Sequence, residues 1–547
     1  MNGGPADLIL TGGRVLVLDA AFTVARAVAV RGGRVLAAGG DAEIERLAGP
    51  ATRRIALDGR SVLPGLIDTH CHFEDAGIAE DTVSFAGART IAEAAGRVRA
   101  AAGRTPPGEW IRGQVWHPVS QLAEGRRPTA AELDSATTAH PVHLPIGHSC
   151  VVNSTALRLA GIGRDTPDPP GGTIERDPVT GEPTGVLEAG AQRLVTDVIP
   201  PWPPERRAAQ FVRAMRRLNE LGLTGVVAGA TTPEDLAVLR RLRDEGRMTA
   251  RVAVMVTPTG ELNPTTDLAG WAAWFAQNPA PDERDPWLRE AGIKLQADGG
   301  MTLRTAAVTE PYEGGGLGLP AAEPERLTAL VKTAAAHGWR VGVHAVGDAA
   351  IDTVLDAYEA AHAEHDIAGR RFVLVHASLI RPDQMRRARA LGVLAAAQSV
   401  FLWDKARAIR ANLGAARTAR AVPLRTMIAE MGIGGVCAGT DFPVNPLDPM
   451  INIHVMTTRR DVHGERHGVE EAVSMQDAIR LYTTAAARYT FEEDVRGSLE
   501  PGRLADLVVL SGDILETADV RGLHADLTVV GGEVVHDRLG ALAPVAR

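Results

Sequence analysis

Apolar residues in the first 62 positions come in short bursts separated by glycine turns. Residues 8–11, 13–18, 27–30 and 34–38 each read as a short strand, so the pattern predicts a small all-β unit. The far C-terminus has the same texture at 505–510 and 527–535. Two β-rich ends flanking a long middle predict that the termini pair into one sandwich. In the middle, apolar strands alternate with amphipathic helices. Strands are predicted at 63–72, 225–228, 251–256, 293–297, 341–344, 372–376, 393–396 and 435–438, with helices such as 325–337, 349–363 and 382–391 between them. Regular strand–helix–strand alternation implies parallel pairing with right-handed crossovers, and about eight strands is the number a closed (β/α)8 barrel needs. A doubly wound open sheet is the alternative, but no glycine-rich dinucleotide or phosphate loop supports it. Residues 103–205 interrupt the rhythm with Pro-, Gly- and Arg-rich sequence and read as an insertion after the first barrel strand, of the kind that shapes a substrate pocket. The expected α/β architecture is therefore a TIM-like barrel over 63–490, with 1–62 and 491–547 as the two parts of a small β-sandwich.

Composition narrows the function classes. The 547 residues are 45% hydrophobic and 23% charged, and no apolar run is long enough to span a bilayer. The first residues lack the basic start and apolar stretch of a secretory signal. Cys71, Cys150 and Cys437 are widely scattered, which argues against a disulfide framework and for a reducing compartment. A net charge of -9 with mixed signs and no basic block argues against nucleic acid as a partner. A cytoplasmic protein with neither nucleic-acid nor membrane partners is expected. Of 58 Lys plus Arg, only Lys294, Lys332 and Lys405 are lysine. A lysine retained against such a bias is a candidate for chemistry that guanidinium cannot do. For Lys332, in a polar helical stretch, chance retention is the better reading.

The segment Leu63-Pro-Gly-Leu-Ile-Asp-Thr-His-Cys-His72 carries the first chemistry. Side chains alternate along a strand, so His70 and His72 share a face and Cys71 turns away. Two converging imidazoles make half of a metal site, although such a pair is as readily two polar residues beside a turn. The later strands decide between these readings. Barrel enzymes carry their chemistry at the C-terminal ends of the strands. There the chain places Lys294 within a strand, His344 and His376 at strand ends, and Asp441 just after the last strand. Each alone is more often structural; their succession in strand order after the His pair argues against coincidence.

The motifs Pro64-Gly-Leu-Ile-Asp-Thr-His-Cys-His72, Lys294-Leu-Gln-Ala-Asp-Gly299, His344-Ala-Val-Gly-Asp348, Thr440-Asp-Phe-Pro-Val444 and Gly497-Ser-Leu-Glu-Pro-Gly-Arg-Leu-Ala-Asp-Leu-Val-Val-Leu510 resemble the amidohydrolase superfamily. Gly147-His-Ser-Cys-Val-Val-Asn-Ser-Thr-Ala-Leu157, Pro170-Gly-Gly-Thr-Ile-Glu-Arg-Asp177 and Gly185-Val-Leu-Glu188 are similar to the family-3, YtcJ-like metal-dependent hydrolases within it. The resemblance runs from about Leu8 to about Val535. It implies His70 and His72 on one ion, His344 and His376 on a second, and Asp441 on the first ion and in proton transfer, as the catalytic residue. It also implies that Lys294, carboxylated by CO2, bridges the two. One or two Zn2+ ions are expected, with Mn2+, Co2+ or Fe2+ as alternatives. The implied reaction is hydrolysis of a C–N bond in a small amide-type substrate, such as an N-substituted formamide or N-acyl amine, by a metal-activated water. Homo-oligomers are common among such barrels.

Deamination or cyclic-amide opening is a second enzymatic reading; superfamily deaminases usually lack the bridging lysine, so Lys294 weighs against deamination. A non-catalytic binding barrel is a third, and the intact ligand set weighs against it. For the substrate pocket, His148 matches a subgroup histidine, Arg304 could grip an anionic group or tie its own loop, and Trp116 and Trp403 could line an apolar wall. Here the chain departs from the subgroup. Ala297-Asp-Gly-Gly-Met-Thr-Leu-Arg304 replaces the commoner Ala-Asp-Gly-Ala-Leu-Gly-Ser-Arg, and His117-Pro118 stands where Asp-Glu is more usual. The substrate therefore does not carry over from any relative.

Overall fold

The computed structural model describes residues 4–116, 118–146, 149–169, 172–258, 268–281, 285–321 and 323–540, with the Ser120 side chain excepted. Its central sheet has eight parallel strands: β1 (Leu66–Cys71), β2 (Leu223–Thr231), β3 (Arg251–Val256), β4 (Leu288–Gln296), β5 (Val341–Ala345), β6 (Val373–His376), β7 (Leu394–Ala397) and β8 (Val436–Ala438). Each pairs with the next in sequence order. All six residues of β3 are buried, the pattern of a strand covered on both faces. The intervening helices bury one stripe: in Pro324–Ala336 it is Leu327, Leu330, Val331, Ala334 and Ala335, at the spacing of a single helix face. The sheet closes into a (β/α)8 barrel where the loop after β8 meets the end of β1. There the Asp441 N–H donates to the His70 carbonyl and the His72 N–H to the Phe442 carbonyl, both at 2.8 Å. Thr69 Oγ1 donates to the Ala438 carbonyl at 2.9 Å.

Beneath the C-terminal end lies an apolar cluster that includes Val227, Ala253, Met255, Val373, Val375, Ala396 and Tyr489. Arg340, which precedes β5, closes the N-terminal end. It is 3% exposed, its guanidinium lies 4.3 Å from the Tyr489 ring centroid, and it donates to the carbonyls of Arg371 and Tyr489. The polar groups at the opposite end are thus backed by low-dielectric packing.

The termini build two further sheets. One orders Arg34–Gly39, Ala27–Arg31, Ala6–Thr11 and Ala48–Ala56 side by side; the other orders Glu533–Asp537, Ala525–Val530, Leu507–Leu510, Ser61–Pro64, Arg14–Leu16 and Val24–Ala25. Leu8, Leu10, Val28 and Val30 from the first share a core with Val15, Val62, Leu507, Val509 and Leu527 from the second, which makes the pair a sandwich. Leu63 pairs with Val508 in the sandwich, whereas Leu66 pairs with Leu223 in the barrel. The single apolar run 63–72 is therefore two strands. Gly65 is the joint: its N–H donates to the Asp506 carbonyl, and a β-carbon there would overlap the Thr224 side chain.

Residues 75–210 form a unit of their own. A five-stranded sheet orders Gly172–Arg176, Pro183–Ala189, Ser149–Val152, Val142–Ile146 and Ile111–Arg112. The unit starts well before the change in composition at 103. Helix Ile91–Ala102 explains the difference: it buries Ile91, Ala94, Ala95, Val98 and Ala101, the same amphipathic spacing as a barrel helix. All three cysteines are buried thiols. Among the described residues no helix is long and apolar enough to cross a membrane.

Candidate metal centre

The strand ends deliver the expected groups to one place. His70 and His72 leave β1 on the same face with ring centroids 5.5 Å apart. His70 Nε2 lies 3.4 Å from Asp441 Oδ1 and 3.4 Å from Lys294 Nζ, and His72 Nε2 lies 3.7 Å from the same Asp441 oxygen. One ligand atom from each of His70, His72 and Asp441 falls within 4.8 Å of the others. The His376 ring sits 5.1 Å from that of His70 and 4.4 Å from that of His344. The six groups predicted from the strand pattern thus form one cluster.

Burial sets their protonation. His70 and His376 are each 2% exposed, and desolvation holds both imidazoles well below their ordinary range; Lys294 adds repulsion at each. His344 is pushed down to about 4, first by burial and then by Lys294. His72 is also lowered by burial, against the pull of Asp441. Burial takes the Lys294 ammonium down to about 7, with Asp441 opposing. It raises Asp441 too, against the attraction of His72, Lys294, His344 and Lys405. Four neutral imidazoles, an amine near neutrality and a carboxylate have more lone pairs than protons to share. This donor set fits divalent cations that favour nitrogen and oxygen.

Hydrogen bonds orient the rings. His344 Nε2 lies 3.0 Å from the Gly299 carbonyl, which can only accept, so that nitrogen carries the proton and Nδ1 is bare. His376 Nδ1 lies 2.7 Å from Gln398 Oε1. Two of the six residues have left-handed backbones, His376 at φ 75° and Asp441 at φ 56°. Such conformations persist where neighbours overdetermine them. The Asp441 N–H is held by the His70 carbonyl and the next residue after His376, Ala377, by the Ala345 carbonyl.

Other residues that support the cluster have no periodic signature. Asp298 is fully buried and accepts N–H bonds from Ala307, Val346 and Gly347, clasping the loop after β4 to the end of β5. It lies 3.6 Å from His344 Nε2, and burial raises its carboxyl to about 7. Asp68, also raised to about 7 by burial, accepts from the His70 N–H and from Thr440. Both aspartates lie inside the motifs quoted above, which was the available signal. Gly229 on β2 is set by space: a β-carbon there would lie 2.5 Å from His70 Cε1 and 3.1 Å from His72 Cε1.

Where the structure describes them, the expected pocket residues are engaged in other contacts. His148 lies outside the described residues. Trp116 is no open wall: it is 4% exposed and stacks on Phe85, with centroids 4.3 Å apart, inside the core of the 75–210 unit. Arg304 is exposed, donates to the Gly315 carbonyl and lies over the Tyr312 ring at 5.8 Å, so it ties its own loop. Trp403 is half-buried against the His454 ring, under the Arg521 guanidinium.

Known proteins resemble the chain over nearly its whole length. The chain is 31% identical to Protein LONG AFTER FAR-RED 3 of Arabidopsis thaliana over 92% of its own length and 87% of that protein. It is 29% identical to the N-substituted formamide deformylase of Arthrobacter pascens, over 98% and 99% of the two chains. Among solved structures, an uncharacterized metal-dependent hydrolase from Pyrococcus furiosus superposes with a TM-score of 0.76 at 27% identity, covering 93% of this chain and all of that one. The amidohydrolase family model matches residues 53–536, so the chain belongs to the amidohydrolase family and is a hydrolytic enzyme.

Proposed function

We propose that the enzyme hydrolyses a C–N bond in a small amide, such as an N-substituted formamide or an N-acyl amine, with divalent metal held by His70, His72, Lys294, His344, His376 and Asp441. The observation that carries this reading is the convergence of four neutral imidazoles on a buried lysine and a buried aspartate. The near full-length likeness to a formamide deformylase supports the choice of bond. Zinc is the expected ion, one or two per chain, with Mn2+, Co2+ or Fe2+ as alternatives. When bound, such an ion supplies a nucleophile at neutral pH and a Lewis acid for the scissile carbonyl.

The chain's own groups do the rest. Asp441 Oδ1, beside the Nε2 atoms of His70 and His72, is placed to accept the proton of an attacking water and return one to the leaving amine. Lys294 near neutrality has a large free-amine fraction. That amine can attack CO2, forming an N–C bond and releasing one proton to give a carbamate with two donor oxygens. Arginine cannot do this. The apolar packing beneath the cluster and the 2% exposure of His70, Lys294 and His376 keep bulk water from the inner side.

The test is metal analysis of the purified chain followed by a panel of N-formyl, N-acyl and cyclic amides, assayed with added Zn2+, Mn2+ or Co2+. Release of amine and carboxylate from an acyclic amide is expected. Ammonia release from an amino-heterocycle instead would shift the reading to deamination. Absence of bound or activating metal would overturn it.

A further inference from the structure

We infer that Gln398 is the positioning residue that fixes the tautomer and ring angle of His376, and that it thereby sets the affinity of the ion His376 holds. The inference rests on the metal reading above. Gln398 directly follows β7 and is 1% exposed. Its Nε2 lies 2.9 Å from the Ala396 carbonyl and its Oε1 lies 2.7 Å from His376 Nδ1. A carbonyl oxygen only accepts, so the NH2 end of the amide must face Ala396. The amide oxygen is then the end that faces His376, and Nδ1 must donate to it. A neutral imidazole has one N–H, and with that proton on Nδ1 the free lone pair is on Nε2.

This arrangement is the reverse of that at the neighbouring strand end. His344 gives its Nε2 proton to the Gly299 carbonyl and keeps Nδ1 bare. The two adjacent histidines therefore need opposite tautomers, and each is set by its own acceptor. For His344 the acceptor is backbone, which substitution leaves in place. For His376 it is a side chain, and with the left-handed backbone of His376 fixed, the Gln398 contact removes the remaining freedom of the ring. Outer partners of this kind raise metal affinity by about 10- to 100-fold.

The experiment compares Gln398→Met, which keeps the length of the side chain and loses the acceptor, with Gln398→Glu. Protonated glutamate reproduces both contacts, donating its O–H to Ala396 and accepting from Nδ1. Zn2+ affinity is measured by competition with a chromophoric chelator, and stoichiometry by elemental analysis, in wild-type and His376→Ala backgrounds. The expected result is a loss of about 10- to 100-fold for Gln398→Met, recovery to within about threefold for Gln398→Glu, and no further loss from Gln398→Met once His376 is alanine. Wild-type affinity in Gln398→Met, or an equal loss in both backgrounds, overturns the inference and leaves the metal reading standing. A wild-type chain that binds no divalent ion overturns both. If Gln398→Met does not fold, as shown by apo-protein melting, Gln398→Leu, which also lacks an acceptor, is read by the same criteria.

Discussion

Asp68 and Thr440 are 372 residues apart in sequence, yet Thr440 Oγ1 donates to Asp68 Oδ2 at 2.6 Å and the Thr440 N–H reaches the same carboxylate at 3.1 Å. The Asp68 carboxylate also accepts from the His70 N–H. One buried side chain thus sets the spacing between the first-strand histidines and Asp441, which follows Thr440. Alanine at 68 would leave the His70 N–H and the Thr440 N–H and hydroxyl without their buried acceptor. Asp68→Ala is therefore expected to cost about 2 kcal/mol of stability, since buried donors lose their partners. It should weaken the ion shared by His70, His72 and Asp441 more than the one at His344 and His376. A denaturation midpoint together with metal stoichiometry checks both; an unchanged midpoint would mean the latch carries no energy.

Asp441→Asn keeps the shape of the proton-transfer group and removes its basicity. Turnover should fall by about 10²- to 10⁴-fold, the usual contribution of a positioned general base. Metal content measured on the same preparation separates this loss from loss of a ligand. A variant that retains wild-type kcat would remove Asp441 from the proposed role.

The sequence made the clustered residues legible because their placement follows two regular rules: alternation along β1, and the succession of strand ends around a barrel. His344 and Lys294 stand where the strand predictions put them. What supports them follows no period. Asp298 acts through the backbone of residues 307, 346 and 347, which meet only in the folded chain. Gly229 matters through empty space next to His70. The break at Gly65 within the run 63–72 was hidden for the same reason, since sandwich and barrel strands are both apolar and differ only in partner. Trp116 was misjudged because an aromatic in a Gly- and Pro-rich stretch reads as a loop residue, and the 75–210 unit has a core of its own to fill.

Two buried imidazoles give the metal-free protein an acid-linked cost of folding, opposed over the same range by the Asp68 and Asp298 carboxyls, which burial raises to about 7. His344 in the barrel and His143 in the 75–210 unit are both pushed down to about 4, chiefly by burial. In the unfolded chain each takes a proton near pH 6.5, whereas the folded protein refuses it until about pH 4. Between those values each of these imidazoles binds its proton more readily in the unfolded state, so its contribution to stability falls as pH falls and is fully present above 6.5. Each group contributes at most about 3 kcal/mol over that window. Urea midpoints at pH 7 and 4.5 measure the net slope, and His143→Gln should raise stability at pH 4.5 relative to pH 7. A slope that His143→Gln leaves unchanged would show that burial of this imidazole is not coupled to folding.

Lys294→Arg tests whether this lysine serves as an amine or only as a positive charge. The native group is 2% exposed and its ammonium is lowered to about 7, so it is held where a cation is disfavoured and a free amine is available. Arginine stays charged at every accessible pH and forms no carbamate. Beside the Nε2 of His70, 3.4 Å from the native Nζ, it would repel a divalent ion. Loss of metal and of turnover is expected in Lys294→Arg and excludes a role as charge alone, but that result fits a carbamate and a directly coordinating amine equally. Apo wild-type enzyme reconstituted with Zn2+ in CO2-depleted buffer separates them. It should recover little activity until bicarbonate is added, and with 13C-labelled bicarbonate it should show a carbamate carbon resonance that Lys294→Arg lacks. Full recovery without CO2, and no such resonance in the wild type, would assign Lys294 to direct coordination through its amine.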